Sequence, residues 1–432
     1  MKRSKISIFW FRRDLRLEDN AGLYHALSSG YPVLPIFIFD KNILDKLSDK
    51  NDRRIDYIHQ ALTHINSLLK LSGSTLKTYY GSPLDIFKQL MNEFEVQEVF
   101  CNRDYEPRAI ERDNEINQYL HDRNIQFKTY KDQVIFDQFD IIKNNGTPYT
   151  IYTPYSKKWK EKLMLENHEI FNPDIHNFYQ QTFSEIHSLD EIGFKKTEMF
   201  FVPPKLDAAI IDDYDKYRDY PALQKTSMLG IALRFGTISI RSCVSFAIIH
   251  NQTWLSELIW REFFMQILYH FPSIENHSFK RQYDFIAWRN DESEFDMWCN
   301  GKTGFPLVDA GMRQLNETGY MHNRVRMVVA GFLCKDLLID WRWGETYFAQ
   351  KLNDYDLSSN NGNWQWASGS GCDAVPYFRM FNPTLQAEKF DKNFDYIRKW
   401  VPEFGTDAYP KPIVDHKFAK ERAFESYSKA LK

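Results

Sequence analysis

The chain has 432 residues, 43% of them hydrophobic and 26% charged, and its 55 Lys+Arg against 58 Asp+Glu leave a net charge of −3. That balance belongs to an ordinary globular protein of two or three domains; it excludes disorder, collagen and coiled coil, and it confines any nucleic-acid-binding surface to a local basic patch. No apolar run approaches the ~18 residues of a membrane helix, and Arg12-Arg13 end the N-terminal apolar stretch short of the ~7–15-residue core of a signal peptide, so a cytoplasmic protein is expected.

The first third alternates strand and helix. Residues 6–11 and 33–39 are short runs of β-formers. Ile55, Ile58, Leu62, Ile65 and Leu69 repeat at spacings of 3 and 4, which predicts an amphipathic helix that Gly73 can end. Residues 76–80 read as a strand. Ser82-Pro83 then supplies an N-cap and an N1 proline for a helix through Phe94. A strand over 96–101, a helix over 109–120 and a strand over 127–130 follow. Alternation at these lengths predicts an α/β domain over 1–130, a Rossmann-like parallel sheet covered by helices.

Over 131–204 the periodicity weakens. Pro and Asn are frequent, Tyr149, Tyr152 and Tyr155 punctuate the stretch, and a long connector is expected. From 205 to 432 the chain reads as an all-α domain, with helix-like periodicity over 255–268, 325–338 and 346–352. Nine of the 11 Trp lie between Trp254 and Trp400. A helical core, a site that stacks planar ligands and a path for electrons all use such residues, and composition does not choose among them.

Several common motifs are absent from the sequence. There is no G-x-G-x-x-G, no HExxH and no G-x-S-x-G; Gly301-Lys302-Thr303 lacks the first glycine of a phosphate loop because position 296 is Asp296. The five cysteines are odd in number, far apart and without a CxxC pair, so they are expected as small buried side chains, with neither a disulfide framework nor a metal site. The stretch from Asp354 to Trp366 packs carboxylates, amides and indoles that are costly to bury without partners, and Arg324 and Arg326 are available as counter-charges.

Five motifs carry a resemblance. Phe9-Trp-Phe-Arg-Arg-Asp-Leu-Arg-Leu-Glu-Asp-Asn20, the 301–313 stretch Gly-Lys-Thr-Gly-Phe-Pro-Leu-Val-Asp-Ala-Gly-Met-Arg, the 321–327 stretch Met-His-Asn-Arg-Val-Arg-Met, the 354–366 stretch and Arg379-Met-Phe-Asn-Pro383 together resemble the photolyase/cryptochrome family. Within it, the chain is most similar to the bacterial class I cyclobutane pyrimidine dimer photolyases. The resemblance implies an FAD-binding helical domain and light-driven repair of pyrimidine dimers in DNA, by a monomer. A blue-light cryptochrome and a (6-4) photoproduct photolyase are the alternatives. The (6-4) branch has histidines where this chain has Asn323 and Met327, and plant cryptochromes have Asp where it has Asn360.

Site residues follow from the resemblance position by position. Tyr214, Arg218, Thr226 and Ser227 match the segment at or beside the FAD phosphates and sugar. Asp354 and Asp356 match aspartates near the flavin and ribitol, Arg326 the partner of the first, and Asn360 the residue facing flavin N5. Glu257, Trp260, Asn323, Arg324, Met327 and Trp366 match the lesion pocket; Trp260 and Met327, taken alone, read as core. In that pocket a flipped-out dimer needs apolar walls and a few polar groups for its base edges. Trp364, Trp341 and Trp288 match an electron-transfer chain to the surface, with Trp298 the alternative to Trp288. A second, antenna chromophore stays open as to identity. Arg108-Ala109 and Glu275-Asn276 replace the Asn-Glu and Cys-Lys of folate-binding relatives, leaving a deazaflavin, a flavin or none.

Overall fold

A computed structural model describes residues 3–166, 170–374 and 376–431. The chain forms two compact units. The first draws on Met1–Asp140, Lys160–Leu206 and Met228–Ile249; the second on Ile141–Trp159, Asp207–Ser227 and His250–Lys432. The stretch expected as a connector is therefore divided between the units, and residues 228–249 join the first.

The first unit is built on a parallel sheet of five strands, β1 (Lys5–Phe11), β2 (Val33–Asp40), β3 (Lys77–Gly81), β4 (Glu95–Asn102) and β5 (Gln126–Tyr130), in the order β3-β2-β1-β4-β5. Alternation along β1 and β2 sorts their continuous apolar runs onto two faces. Phe9, Phe11, Phe37, Phe39 and Phe100 pack under α1 (Ala21–Leu27) and α2 (Arg53–Leu71). Ile6, Ile8, Trp10, Leu34, Ile36 and Ile38 pack under α3 (Pro83–Glu93) and α4 (Pro107–His121). Ser82 caps α3 as its position before Pro83 predicts, accepting from the Asp85 N–H, and Gly73 follows α2 with φ +74.

Helix α5 (Tyr152–Leu165) lies in the stretch whose pattern predicted only a connector. Its apolar residues are too few to mark a periodic stripe, and the helix is fixed by burial of Tyr155 and Trp159 instead. Glu262 accepts from the Trp159 indole N–H at 2.7 Å. Then come α6 (Ile240–His250), α7 (Gln252–His270), α8 (Pro306–Thr318), α9 (Asn323–Gly331), α10 (Trp341–Lys351), α11 (Leu357–Ser368), α12 (Pro383–Phe390) and α13 (His416–Ala430). The helix expected over 325–338 ends early, because residues Phe332–Asp336 widen into a π-helical turn with the Leu337 N–H on the Phe332 carbonyl. That turn aims two buried charged groups at partners: Lys335 Nζ donates to the Arg379 carbonyl at 2.8 Å, and Asp336 pairs with His416 at 2.6 Å. All five cysteines are thiols, Cys372 half-buried and the others buried. Among the described residues no helix is long and apolar enough to cross a membrane.

Charge holds residues 228–249 in the first unit. Buried Arg241 pairs with Asp19 at 2.8 Å and Asp132 at 2.7 Å, and Asp132 also takes Arg16 at 2.8 Å. Nearby, Arg13 reaches Asp104 at 3.3 Å and Glu106 at 2.7 Å. Burial alone would raise the Asp104 carboxyl, but the guanidiniums of Arg13, Arg12, Arg112 and Arg234 outweigh it and hold it below the ordinary carboxylate range. A carboxylate held below its ordinary value stabilises the fold at neutral pH, and the contribution is lost as pH falls from the unfolded value of about 3.9 toward the folded one. Asp104 should thus contribute stability at neutral pH that is lost as the pH falls below about 4. Urea titrations should show Asp104→Asn with a flatter acid limb than the wild type; parallel acid limbs would contradict this.

Candidate active site

A cleft of about 600 Å³, mouth included, opens among α9, α10 and α11. Its polar side is set by local chemistry. His322 is the N-cap of α9, its Nδ1 accepting from the Arg324 N–H at 3.2 Å. Burial, helped by the cations of Arg326, Arg324 and Arg218 and opposed by Asp219, pushes this imidazole down to about 4, so it stays neutral and able to accept. Arg326 then donates to the Met321 carbonyl at 2.7 Å and to Asp354 at 2.9 and 3.2 Å. Asp356 is the N-cap of α11, accepting from the Ser359 N–H at 3.0 Å and from the Ser358 hydroxyl.

Arg326, Asp354, Asp356 and Asn360 line the cleft with Ala330, Phe348, Leu352, Trp364 and Ala367, and so do Asn323, Met327 and Trp366. The expected flavin-side residues and three of the expected lesion residues thus share one opening. Asn360 Nδ2 donates to the Glu345 carboxylate at 2.9 Å and to its carbonyl at 3.1 Å. Burial raises the Glu345 carboxyl, and the Asn360 bond only partly offsets it. Glu345 escaped sequence reasoning; its place in Trp341-Arg-Trp-Gly-Glu345, one turn beyond Trp341, is the only signal it gives.

The remaining lesion residues form a neighbouring cluster. Glu257 and Trp260, three apart on α7, lie on one face as their spacing predicts. Arg218, matched to the segment at or beside the FAD phosphates and sugar, bonds Glu257 at 2.6 Å and stands over the Tyr214 ring at 5.3 Å. A half-buried carboxylate recruits the nearest cation, which local sequence cannot foretell. Arg324 is paired with Asp219 at 2.8 Å and covers the Phe390 ring at 4.5 Å. Thr226 and Ser227 are half-buried in irregular chain and do not line the cleft. Trp260 stacks on Tyr152 at 3.6 Å with 5° between the planes. Tyr152, read as part of a connector, was missed.

The three expected electron-transfer tryptophans belong to one hydrophobic cluster, with Trp364 and Trp341 fully buried and Trp288 half-buried at its edge. Trp298 is also in it, 6.2 Å from Trp364 ring to ring, but fully buried with its N–H on the Val329 carbonyl.

Two family models match: DNA photolyase over residues 7–174, and the FAD binding domain of DNA photolyase over residues 254–407. A deoxyribodipyrimidine photo-lyase of Synechococcus sp. is 35% identical over 98% of this chain and 96% of its own. The crystal structure of a bacterial class III photolyase from Agrobacterium tumefaciens superposes with a TM-score of 0.88 at 34% identity, covering 100% of this chain and 98% of that one. An archaeal photolyase from Sulfolobus tokodaii, with two FAD molecules and the implication of a novel light-harvesting cofactor, gives 0.87 at 34% identity over 98% and 99%.

The cleft lies within the FAD-binding match, and its donor set suits that group. Ala330, Phe348, Leu352 and Ala367 offer an apolar wall for a planar ring system, while Arg326, Asp354 and Asn360 offer charge and hydrogen bonds for a heteroatom edge. Gly344 is what brings Trp364 to this wall: a Cβ there would overlap the Trp364 ring and crowd Leu333. Gly344→Ala should therefore push the indole into the cleft, costing about 1–3 kcal/mol of stability and lowering FAD content after purification. An unchanged melting temperature with full FAD content would refute this.

Proposed function

The chain belongs to the DNA photolyase family, and on that premise we propose that it is an enzyme of light-driven DNA repair whose substrate is the cyclobutane pyrimidine dimer. The observation that carries this reading is the shared cleft: Asn323, Met327 and Trp366 face the same opening as Arg326, Asp354, Asp356 and Asn360. FAD held by Arg326, Asp354, Asp356 and Asn360 would, reduced and excited by light, supply electron chemistry that opens the cyclobutane ring with no net redox change. What the protein contributes is geometry and electrostatics.

In this reading Trp260 and Trp366 stack on the flipped-out dimer, worth ~1–3 kcal/mol per base. Met327 closes the apolar wall. Glu257, held at 2.6 Å by Arg218, and Asn323 take the polar base edges. Arg324 meets a flanking phosphate, positioned for it by Asp219. Asn360, bonded to Glu345 through its Nδ2, turns its amide to the flavin heteroatoms. Tyr214, Thr226 and Ser227 are proposed beside the FAD phosphates. As a DNA-repair enzyme the protein is proposed to work as a monomer in the cytoplasm. A second, antenna chromophore is part of the reading because the archaeal relative holds two FAD molecules.

Illuminating the purified, reduced protein with a duplex carrying one thymine dimer should restore thymine absorbance, and Trp260→Ala or Trp366→Ala should each weaken binding of that duplex roughly 5- to 150-fold. Light-driven flavin chemistry without any restored thymine would move the protein to the photoreceptor branch.

Electron supply is proposed to run inward through Trp288, Trp341 and Trp364. Phenylalanine keeps most of the Trp364 volume but is much harder to oxidise. Trp364→Phe should bind FAD yet lose most of its blue-light reduction with an external donor, followed by flavin absorbance. Reduction at the wild-type rate would mean another route, with Trp298 the first to test.

A further inference from the structure

We propose that Tyr152 is a positioning residue for the lesion: its ring backs one face of Trp260 so that the other is held ready for a flipped pyrimidine. This inference rests on the lesion-pocket reading above.

The sequence fixes where the tyrosine starts. Tyr152-Thr153-Pro154 opens α5, and a proline is tolerated only in the first turn, where no helical acceptor is needed for its nitrogen. Tyr152 is thus the first helical residue, with an orphan N–H that Asp373 satisfies at 3.0 Å. Its hydroxyl donates to the Ser256 carbonyl at 2.8 Å, one turn before Trp260 on α7. Burial pushes the phenol up to about 12, so the hydroxyl remains a donor at neutral pH.

Both ends of Tyr152 are therefore tied, and between the ties its ring lies flat on the indole. Phe263 meets the indole edge-on at 5.6 Å and Phe264 leans on it at 5.5 Å. Trp260 nonetheless stays half-buried. A large half-exposed ring on a helix surface ordinarily loses rotamer freedom when a ligand orders it. Here the stack and its two anchors remove that freedom beforehand, so the stacking energy of an incoming base is not spent on ordering the indole. A tyrosine that instead occupied the place of the base would have to leave on binding, against its hydroxyl bond to the Ser256 carbonyl.

The test measures affinity for a dimer-containing duplex and for the same duplex undamaged. Tyr152→Ala should weaken binding of damaged DNA about 2- to 12-fold, the range of an aromatic pair worth ~0.5–1.5 kcal/mol. Undamaged DNA binding and FAD content should stay near wild type. Tyr152→Phe, which keeps the ring, should restore most of the loss. In a Trp260→Ala background, Tyr152→Ala should add nothing. If Tyr152→Ala sheds FAD, Tyr152→Leu, which refills the volume without a π face, should show the same loss for damaged DNA alone. Tighter binding by either variant would make Tyr152 a plug and overturn the proposal, as would equal losses for both duplexes or an additive double variant. If Trp260→Ala by itself changes nothing, the lesion-pocket reading fails first, and the Tyr152 assignment falls with it.

Discussion

A buried imidazole sets the direction of the cleft's polar side. His322 is buried, which favours its neutral form, and its Nδ1 accepts the Arg324 N–H in the first turn of α9. A cap fixes where a helix begins, and with it the direction of every side chain in the first two turns. Asn323, Arg324, Arg326 and Met327 follow within five residues and leave in different directions. Arg324 goes to Asp219, Arg326 to Asp354, and Asn323 and Met327 go into the cleft. Shift the cap by one position and each would face a neighbour's partner.

The cations around the site are arranged on the same principle, each half-buried against one carboxylate. Arg218 with Glu257, Arg324 with Asp219 and Arg326 with Asp354 are separate pairs at 2.6 to 2.9 Å. Pairing lowers the cost of bringing charge toward an apolar cleft, and it holds each guanidinium in one geometry. The first unit uses paired charge differently. Arg241, Asp19, Asp132 and Arg16 form a buried network there, joining residues distant in sequence to the sheet.

Much of this was legible in the residues. The alternation of strands and helices over 1–130, with continuous apolar runs at 6–11 and 33–39, announced a parallel sheet covered by helices. Ser82-Pro83 announced a helix start, and the 3–4 spacing of Ile55 to Leu69 a covered stripe. The three-residue spacing of Glu257 and Trp260 puts both on one helix face. The five ordered motifs carried the family and most of the residues that line the cleft.

Other features depended on contacts that no local pattern records. Tyr152 meets Ser256 104 positions away, Arg324 meets Asp219 across 105, and Arg218 meets Glu257 across 39. The helix expected through 338 opens into a π-helical turn because Lys335 and Asp336 have partners at Arg379 and His416, not because of their own neighbours in sequence. By itself, then, the sequence determined what acts over a few residues: periodicity, caps, turns and the ordered motifs. Only the tertiary structure decided which cation meets which carboxylate and which ring lies on Trp260, because such pairings are chosen by proximity in space among several partners of equal chemistry.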